Sequence, residues 1–232
     1  MPRELTAVAR RHLIEAMPCK LIVPPRREFL EKCIVRGLLT GGAAAAMSQT
    51  QLLAFWQKAE AESLKPTPVE VLGPFYKKGA PNQANLRVAG EPGFPLKISG
   101  KIVNTKGEAV PGARIDVWHA DYKGIYDVHG YRYRSKLVID SGTEYAIDTN
   151  MPGHYPDRPA QHVHYLITAP GCKPLVTQLY FATDPFFEGD PDKNFKKRGV
   201  VTNREAIRPV TLLDENSSPR SVVTYDLILE KA

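Results

Sequence analysis

The sequence predicts an all-β chain, an antiparallel β-sandwich with a helical N-terminal extension, and three observations carry that prediction. From residue 96 onward, apolar and polar residues alternate in short runs, the period of a strand with one buried face. Gly, Pro, Asn and Asp punctuate those runs, and 17 Gly with 20 Pro supply many turns. Upstream the alternation is absent, and a helical pattern runs until Lys65-Pro66-Thr67-Pro68 interrupts it.

Residues 1–47 form an N-terminal segment in which Arg26-Arg27-Glu28-Phe29-Leu30 precedes a Gly/Ala-rich stretch ending at Met47. Paired arginines before a modestly apolar stretch resemble a twin-arginine export signal, which implies an exported or periplasmic protein. The competing reading is a soluble amphipathic helix packed on the domain of a cytoplasmic protein. Arg36 interrupts the stretch, which is too short to span a bilayer stably. Residues 48–65, including Gln51-Leu-Leu-Ala-Phe-Trp56, read as a helical lead-in and a candidate dimerisation element of a homo-oligomer. Residues 66–232 then form the β domain, with strands expected at 96–103, 113–118, 131–139, 143–148, 162–169, 175–181 and 222–229.

Composition excludes several classes. The charge of +6 comes from scattered lysines and arginines without a nucleic-acid-reading motif, so no nucleic-acid partner is expected. A positive field suits collection of an anionic small molecule instead. The three cysteines, Cys19, Cys33 and Cys172, are too few for a disulfide framework and lack zinc-ligand spacing, which leaves Cys172 unpaired.

The chemistry concentrates in Gln161-His162-Val163-His164-Tyr165-Leu166-Ile167. On a strand, His162 and His164 share a face, where two neutral imidazole nitrogens can take one metal ion. The bland alternative is one buried and one exposed histidine. Of the ten tyrosines, six sit in strand-like patterns and are expected to pack. Tyr126 and Tyr155 lie instead in turn-rich segments, Lys123-Gly-Ile-Tyr126-Asp and Pro152-Gly-His-Tyr155-Pro, where a ring can be aimed at a site. A phenol with an ordinary pKa of about 10 stays ionised at neutral pH only on a strong Lewis acid, and ferric iron meets that need better than zinc. His119, after Trp118 on a strand edge, is a candidate supporting residue.

The order Gly124-Ile125-Tyr126, Pro152-Gly-His-Tyr155-Pro, Arg158-Pro-Ala-Gln-His162-Val-His164 and Thr177-Gln178-Leu-Tyr-Phe181 resembles the intradiol ring-cleavage dioxygenases. These are non-haem iron(III) enzymes that open catechols between the two hydroxyls. Leu72-Gly-Pro-Phe-Tyr76 and Val110-Pro-Gly-Ala-Arg-Ile-Asp-Val-Trp118 also match that family's pattern, so the resemblance runs over roughly residues 66–230. It implies Fe(III) held by Tyr126 and His162 as equatorial ligands and by Tyr155 and His164 as axial ones. Tyr155 would double as a base, with Arg158 and Gln178 beside the bound substrate. The expected reaction joins a catechol and O2 into a cis,cis-muconate-type dicarboxylate, and Leu72, Pro74, Tyr76 and Ile125 are the expected substrate contacts. One departure stands out. The family reads Arg-Pro-Ala-His-x-His, whereas Gln161 is inserted here before His162 and must be absorbed in the turn or as a bulge.

The competing function is a non-catalytic binding module. Gly100 to Ala113 also resembles prealbumin-like and carboxypeptidase-regulatory-like β-sandwiches, which share the fold without the Tyr and His set.

Overall fold

The computed structural model describes residues 64–155 and 158–232; the segment read as an export signal and the helical lead-in up to residue 63 lie outside them. Its regular structure is mostly strand, arranged in two five-stranded sheets. The first holds β1 (Pro95–Asn104), β4 (Glu144–Asn150), β8 (Thr211–Leu212), β9 (Ser221–Thr224) and β10 (Leu227–Leu229). The second has the order β3 (Arg134–Ile139), β2 (Ala113–Trp118), β5 (His162–Thr168), β6 (Leu175–Phe181), β7 (Ile207–Arg208).

Both sheets are mixed, which corrects the antiparallel expectation. β1 pairs antiparallel with β4 but parallel with β9 and β10, and β6 pairs parallel with β7. The reason lies in the C-terminal segment, which returns along β1 in the same direction over residues 96–99 and again over 102–104.

The single strand expected at 222–229 is broken at Tyr225-Asp226. There the Asp226 carboxylate accepts the Lys101 amide at 3.0 Å in place of a ladder carbonyl. Gly100 makes that approach feasible, since a Cβ on it would sit 2.1 Å from the Tyr225 carbonyl oxygen. The strand expected from Tyr131 starts only at Arg134. Asp127 draws the preceding residues into a turn by accepting the amides of His129, Gly130 and Arg132, and Tyr133 adopts a left-handed φ of 53°. β7 and β8, two residues each, are too short to show alternation.

The main core lies between the sheets. Leu96, Ile98, Ile102, Ile147 and Leu227 from one meet Ile115, Val117, Val163, Tyr165, Ile167 and Leu179 from the other. Burial of those side chains is the dominant stabilising contribution. β5 alternates as its sequence requires: Val163, Tyr165 and Ile167 enter this core, so His162, His164 and Leu166 face outward from the second sheet. That outer face is not bare, because two smaller clusters cover it. Trp118, Ala120 and Tyr126 gather Leu72, Phe75, Tyr76, Tyr155 and Leu166, while Tyr180 joins Ala160, Phe187 and Val201. Cys172 carries a free thiol, and no described helix is long and apolar enough to cross a membrane.

Candidate metal centre

Strand pairing brings together the first half of the site. His162 is opposite Tyr180, and His164 lies between Trp118 and Gln178 in register. Gln161 ends before β5 begins, and the β5–β6 ladder runs without interruption from His162 to Ile167. The inserted residue is therefore absorbed in the loop, and no bulge disturbs the histidine pair. Trp118 stacks on His164 with centroids 4.9 Å apart and planes 3° off parallel. Gly73 also approaches so closely that a Cβ would lie 3.1 Å from the imidazole. His164 is thus held by an indole and by a close bare backbone.

The loops supply the rest. The Asp121 carboxylate accepts the amides of Lys123 and Ile125, each at 2.9 Å, and so shapes the turn that delivers Tyr126. The Asp121 carbonyl accepts the amides of Gly124 and Gly153, which ties the Tyr126 turn to the Tyr155 turn. Both glycines are needed for this contact: a Cβ on Gly124 would sit 1.9 Å from the His154 carbonyl oxygen, and one on Gly153 would sit 2.3 Å from that of Tyr122. Phe75 stacks on Tyr126 at 4.2 Å and meets Tyr155 edge-on at 6.2 Å. Arg134 fixes this loop by donating to the carbonyls of Phe75 and Asp127.

Four predicted donors converge as a result. The Tyr126 hydroxyl is 3.3 Å from His162 Nε2 and 3.0 Å from His164 Nε2, and the two nitrogens are 3.1 Å apart. Tyr155 hydrogen bonds to Tyr126, and its ring lies 5.7 Å from both the Tyr126 and His162 rings. His162 spends its Nδ1 proton on the Ala160 carbonyl, 2.7 Å away, so Nε2 presents a bare lone pair to the group.

Burial first, and the nearby Arg158 charge second among the causes that lower it, hold His162 neutral, with its pKa down at about 4. His164 is pushed well below its ordinary value by burial and by His162. Burial raises the Tyr126 pKa far above that of a free phenol, and the proximity of Tyr155 adds to the shift, while Arg158 and Arg134 oppose it. Two neutral imidazoles, the Tyr126 phenol that burial makes reluctant to ionise, and the neighbouring Tyr155 form a donor set suited to a cation. The donor spacing fits one: two ligands at right angles on an ion with bonds of about 2.1 Å lie about 3 Å apart. Among the described residues no group of three His, Cys, Asp or Glu side chains could hold a metal, so tyrosine oxygen would have to complete any such site.

Arg158 and Gln178 also come together. Arg158 donates to the Gln178 amide oxygen at 3.0 Å, to the Tyr180 hydroxyl at 2.6 Å and to the Val200 carbonyl at 3.0 Å, while Gln178 donates to the Val71 carbonyl. The predicted substrate contacts are more scattered. Leu72 and Tyr76 pack around Trp118 and Tyr126, and Tyr76 donates to Asp116 at 3.2 Å. Pro74 is exposed. Ile125 is 61% exposed and lines a crevice of about 330 Å³ with Asp121, Tyr126, Asp127, Val128 and His129, which includes none of the other three. His119 is buried, and its ring nitrogens bond to none of the four donors. It donates from Nδ1 to the Ala120 carbonyl and accepts from Thr149 at Nε2, and burial keeps it neutral, with a pKa near about 4.

Sequence reasoning missed Phe75, Trp118 and Arg134 as site residues. The first two stand inside motifs already singled out, as the last apolar positions before Tyr76 and His119. Arg134 is only an arginine opening a strand, and nothing local marks it.

Comparison with known proteins bears on the family. Residues 71–231 match a family model described as "Dioxygenase". The chain is 31% identical over 194 residues to chlorocatechol 1,2-dioxygenase of Rhodococcus opacus, covering 71% of this chain and 72% of that one. To hydroxyquinol 1,2-dioxygenase of Nocardioides simplex it is 30% identical, covering 89% and 75%. To catechol 1,2-dioxygenase of Pseudomonas sp. strain EST1001 it is 33% identical, but spans only 52% of that enzyme's length. Among solved structures, the dioxygenase domain of a dioxygenase carbohydrate-binding protein fusion from Streptomyces sp. SirexAA-E superposes with a TM-score of 0.61 at 28% identity, covering 72% of this chain and all of that domain. Its likeness to 3-chlorocatechol 1,2-dioxygenase of Rhodococcus opacus 1CP, TM-score 0.61 at 22% identity over 77% of this chain and 78% of that one, extends to the fold alone. With its family model matched over most of its length and its donors gathered on one face of the second sheet, the chain belongs to the intradiol ring-cleavage dioxygenases.

Proposed function

We propose that this protein is a non-haem iron(III) intradiol dioxygenase that joins a catechol and O2 into a cis,cis-muconate-type dicarboxylate. The observation that carries the reading is the convergence of the Tyr126 oxygen with His162 Nε2 and His164 Nε2, all within 3.3 Å, beside the ring of Tyr155. Tyr126, Tyr155, His162 and His164 would hold the ion. Bound there, ferric iron supplies a Lewis acid that draws electron density from a chelated catechol and needs no external electron donor.

The chain's own groups do the rest. Tyr155, half-buried and hydrogen bonded to Tyr126, would be the group that takes a proton from an incoming catechol hydroxyl. Arg158, held by Gln178 and Tyr180, keeps a positive charge close to Tyr126 and His162, where negative charge on the reacting ring would be stabilised. Trp118 and Phe75 fix the planes of His164 and Tyr126 and exclude water from those rings. The spacer-module reading gives no reason for two phenols and two imidazoles to meet on an outer sheet face.

The reaction balances with both oxygen atoms retained in the dicarboxylate. Under ¹⁸O2 the product should therefore carry two labelled atoms, with one O2 consumed per catechol; a singly labelled product, or no oxygen uptake across a panel of substituted catechols, would refute the assignment.

A further inference from the structure

Gln161, between Arg158 and the first histidine, is the residue that departs from the pattern the resemblance implies. An insertion at this place could be slack. Its surroundings are the opposite of slack. The Gln161 amide nitrogen of the backbone donates to the Asp184 carboxylate at 2.6 Å, and its side-chain amide donates to the Pro152 carbonyl at 2.8 Å.

Asp184 is 1% exposed and serves three segments at once. It accepts Gln161, it pairs with His154 Nε2 at 2.9 Å, and it caps the turn after β6 by accepting the Phe186 amide at 2.9 Å. The stretch leading to Tyr155 is consequently gripped at three successive residues. The Pro152 carbonyl is held by Gln161, the Gly153 amide by the Asp121 carbonyl at 2.8 Å, and the His154 side chain by Asp184. On the other side of Gln161, the Ala160 carbonyl orients His162. One inserted residue thus joins the loop of one predicted ligand to the strand of another.

We propose that Gln161 is a positioning residue: with Asp184 it braces the Pro152–Tyr155 turn against the start of β5 and so sets where the Tyr155 phenol stands relative to His162. The role of Tyr155 as an iron ligand rests on the ferric reading above; the brace itself does not. Gly153 contributes the third grip from the Tyr126 side, so the brace fixes Tyr155 against both neighbours. Removing the side-chain donor while keeping its shape releases the Pro152 carbonyl alone.

The test uses the full-length, iron-loaded protein and its Gln161→Met variant, which is similar in volume and has no donor. Hydrogen exchange read by mass spectrometry over residues 151–155 should be about fivefold faster in the variant, the factor expected for loss of one ordinary hydrogen bond. Iron content should be unchanged. The visible tyrosinate band should move toward that of Tyr155→Phe, a change that a merely stabilising residue would not produce. Gln161→Lys, which restores a donor, should exchange like the wild type. Unchanged exchange in Gln161→Met, an unmoved band, or equal loosening in the Met and Lys variants would overturn the proposal. A wild type that binds iron and stays colourless would defeat the ferric reading instead, and the exchange comparison would still decide the brace.

Discussion

Tyr126→Phe should abolish both colour and turnover while leaving the protein folded. The substitution removes one oxygen, the atom that sits 3.0 and 3.3 Å from the two histidine nitrogens. It leaves the ring, and the ring is what packs: Phe75 stacks on it at 4.2 Å, and Trp118, Ala120 and Leu72 share its cluster. The lost hydrogen bonds change stability by about 1 kcal/mol. The chemical loss is of another order, because a cation left with two neutral nitrogens and one phenolate loses charge compensation as well as a ligand. Altering groups that merely support metal ligands costs about 10- to 100-fold, so loss of a ligand should exceed about 100-fold in oxygen uptake per protein. Thermal unfolding, iron content and oxygen uptake measured side by side separate the two effects. A variant that keeps its activity would remove Tyr126 from the site.

Gly124→Ala is expected to be nearly as damaging by a different route. Gly124 has a φ of +81°, a left-handed conformation that costs an L-residue about 1–2 kcal/mol, and the added methyl would stand 1.9 Å from the His154 carbonyl oxygen. Backbone, not a flexible side-chain tip, is what it meets. The Tyr126 and Tyr155 turns must separate, which breaks their shared hold on the Asp121 carbonyl. We expect a loss of about 3 kcal/mol or more in denaturant unfolding, with the iron-loaded spectrum altered even where the protein remains folded. Gly142→Ala provides the control: its φ is +78° and nothing lies within 4 Å of a Cβ there, so it should show only the conformational penalty. Equal effects at the two positions would mean that the close approach of the turns is unimportant.

What the sequence revealed of this site follows from how local each signal is. His162 and His164 were legible because strand periodicity places residues two apart on one face whatever the tertiary structure, and β5 obeys it. Tyr126 and Tyr155 stood out from the packing tyrosines through the turn residues around them. Arg134 was hidden, since its role is to reach the Phe75 and Asp127 carbonyls across loops that sequence alone cannot bring together. The direction of pairing was hidden for the same reason: alternation reports which face a residue takes and nothing about whether the neighbouring strand runs parallel. The break at Tyr225-Asp226 depends on Gly100, well over a hundred residues earlier, and on a side chain standing in for a backbone acceptor. Gln161 was noticed as a departure from a pattern, but its hold on Pro152 and Asp184 became visible only in three dimensions.

The central claim is that two tyrosines and two histidines hold one ferric ion where a catechol can reach it, and the visible spectrum tests it most directly. Protein loaded with one equivalent of iron(III) and kept free of oxygen should be wine-red from tyrosinate-to-iron charge transfer, and one equivalent of catechol should shift that band. Iron bound stoichiometrically to a colourless protein, or a band that catechol leaves untouched, would contradict the account.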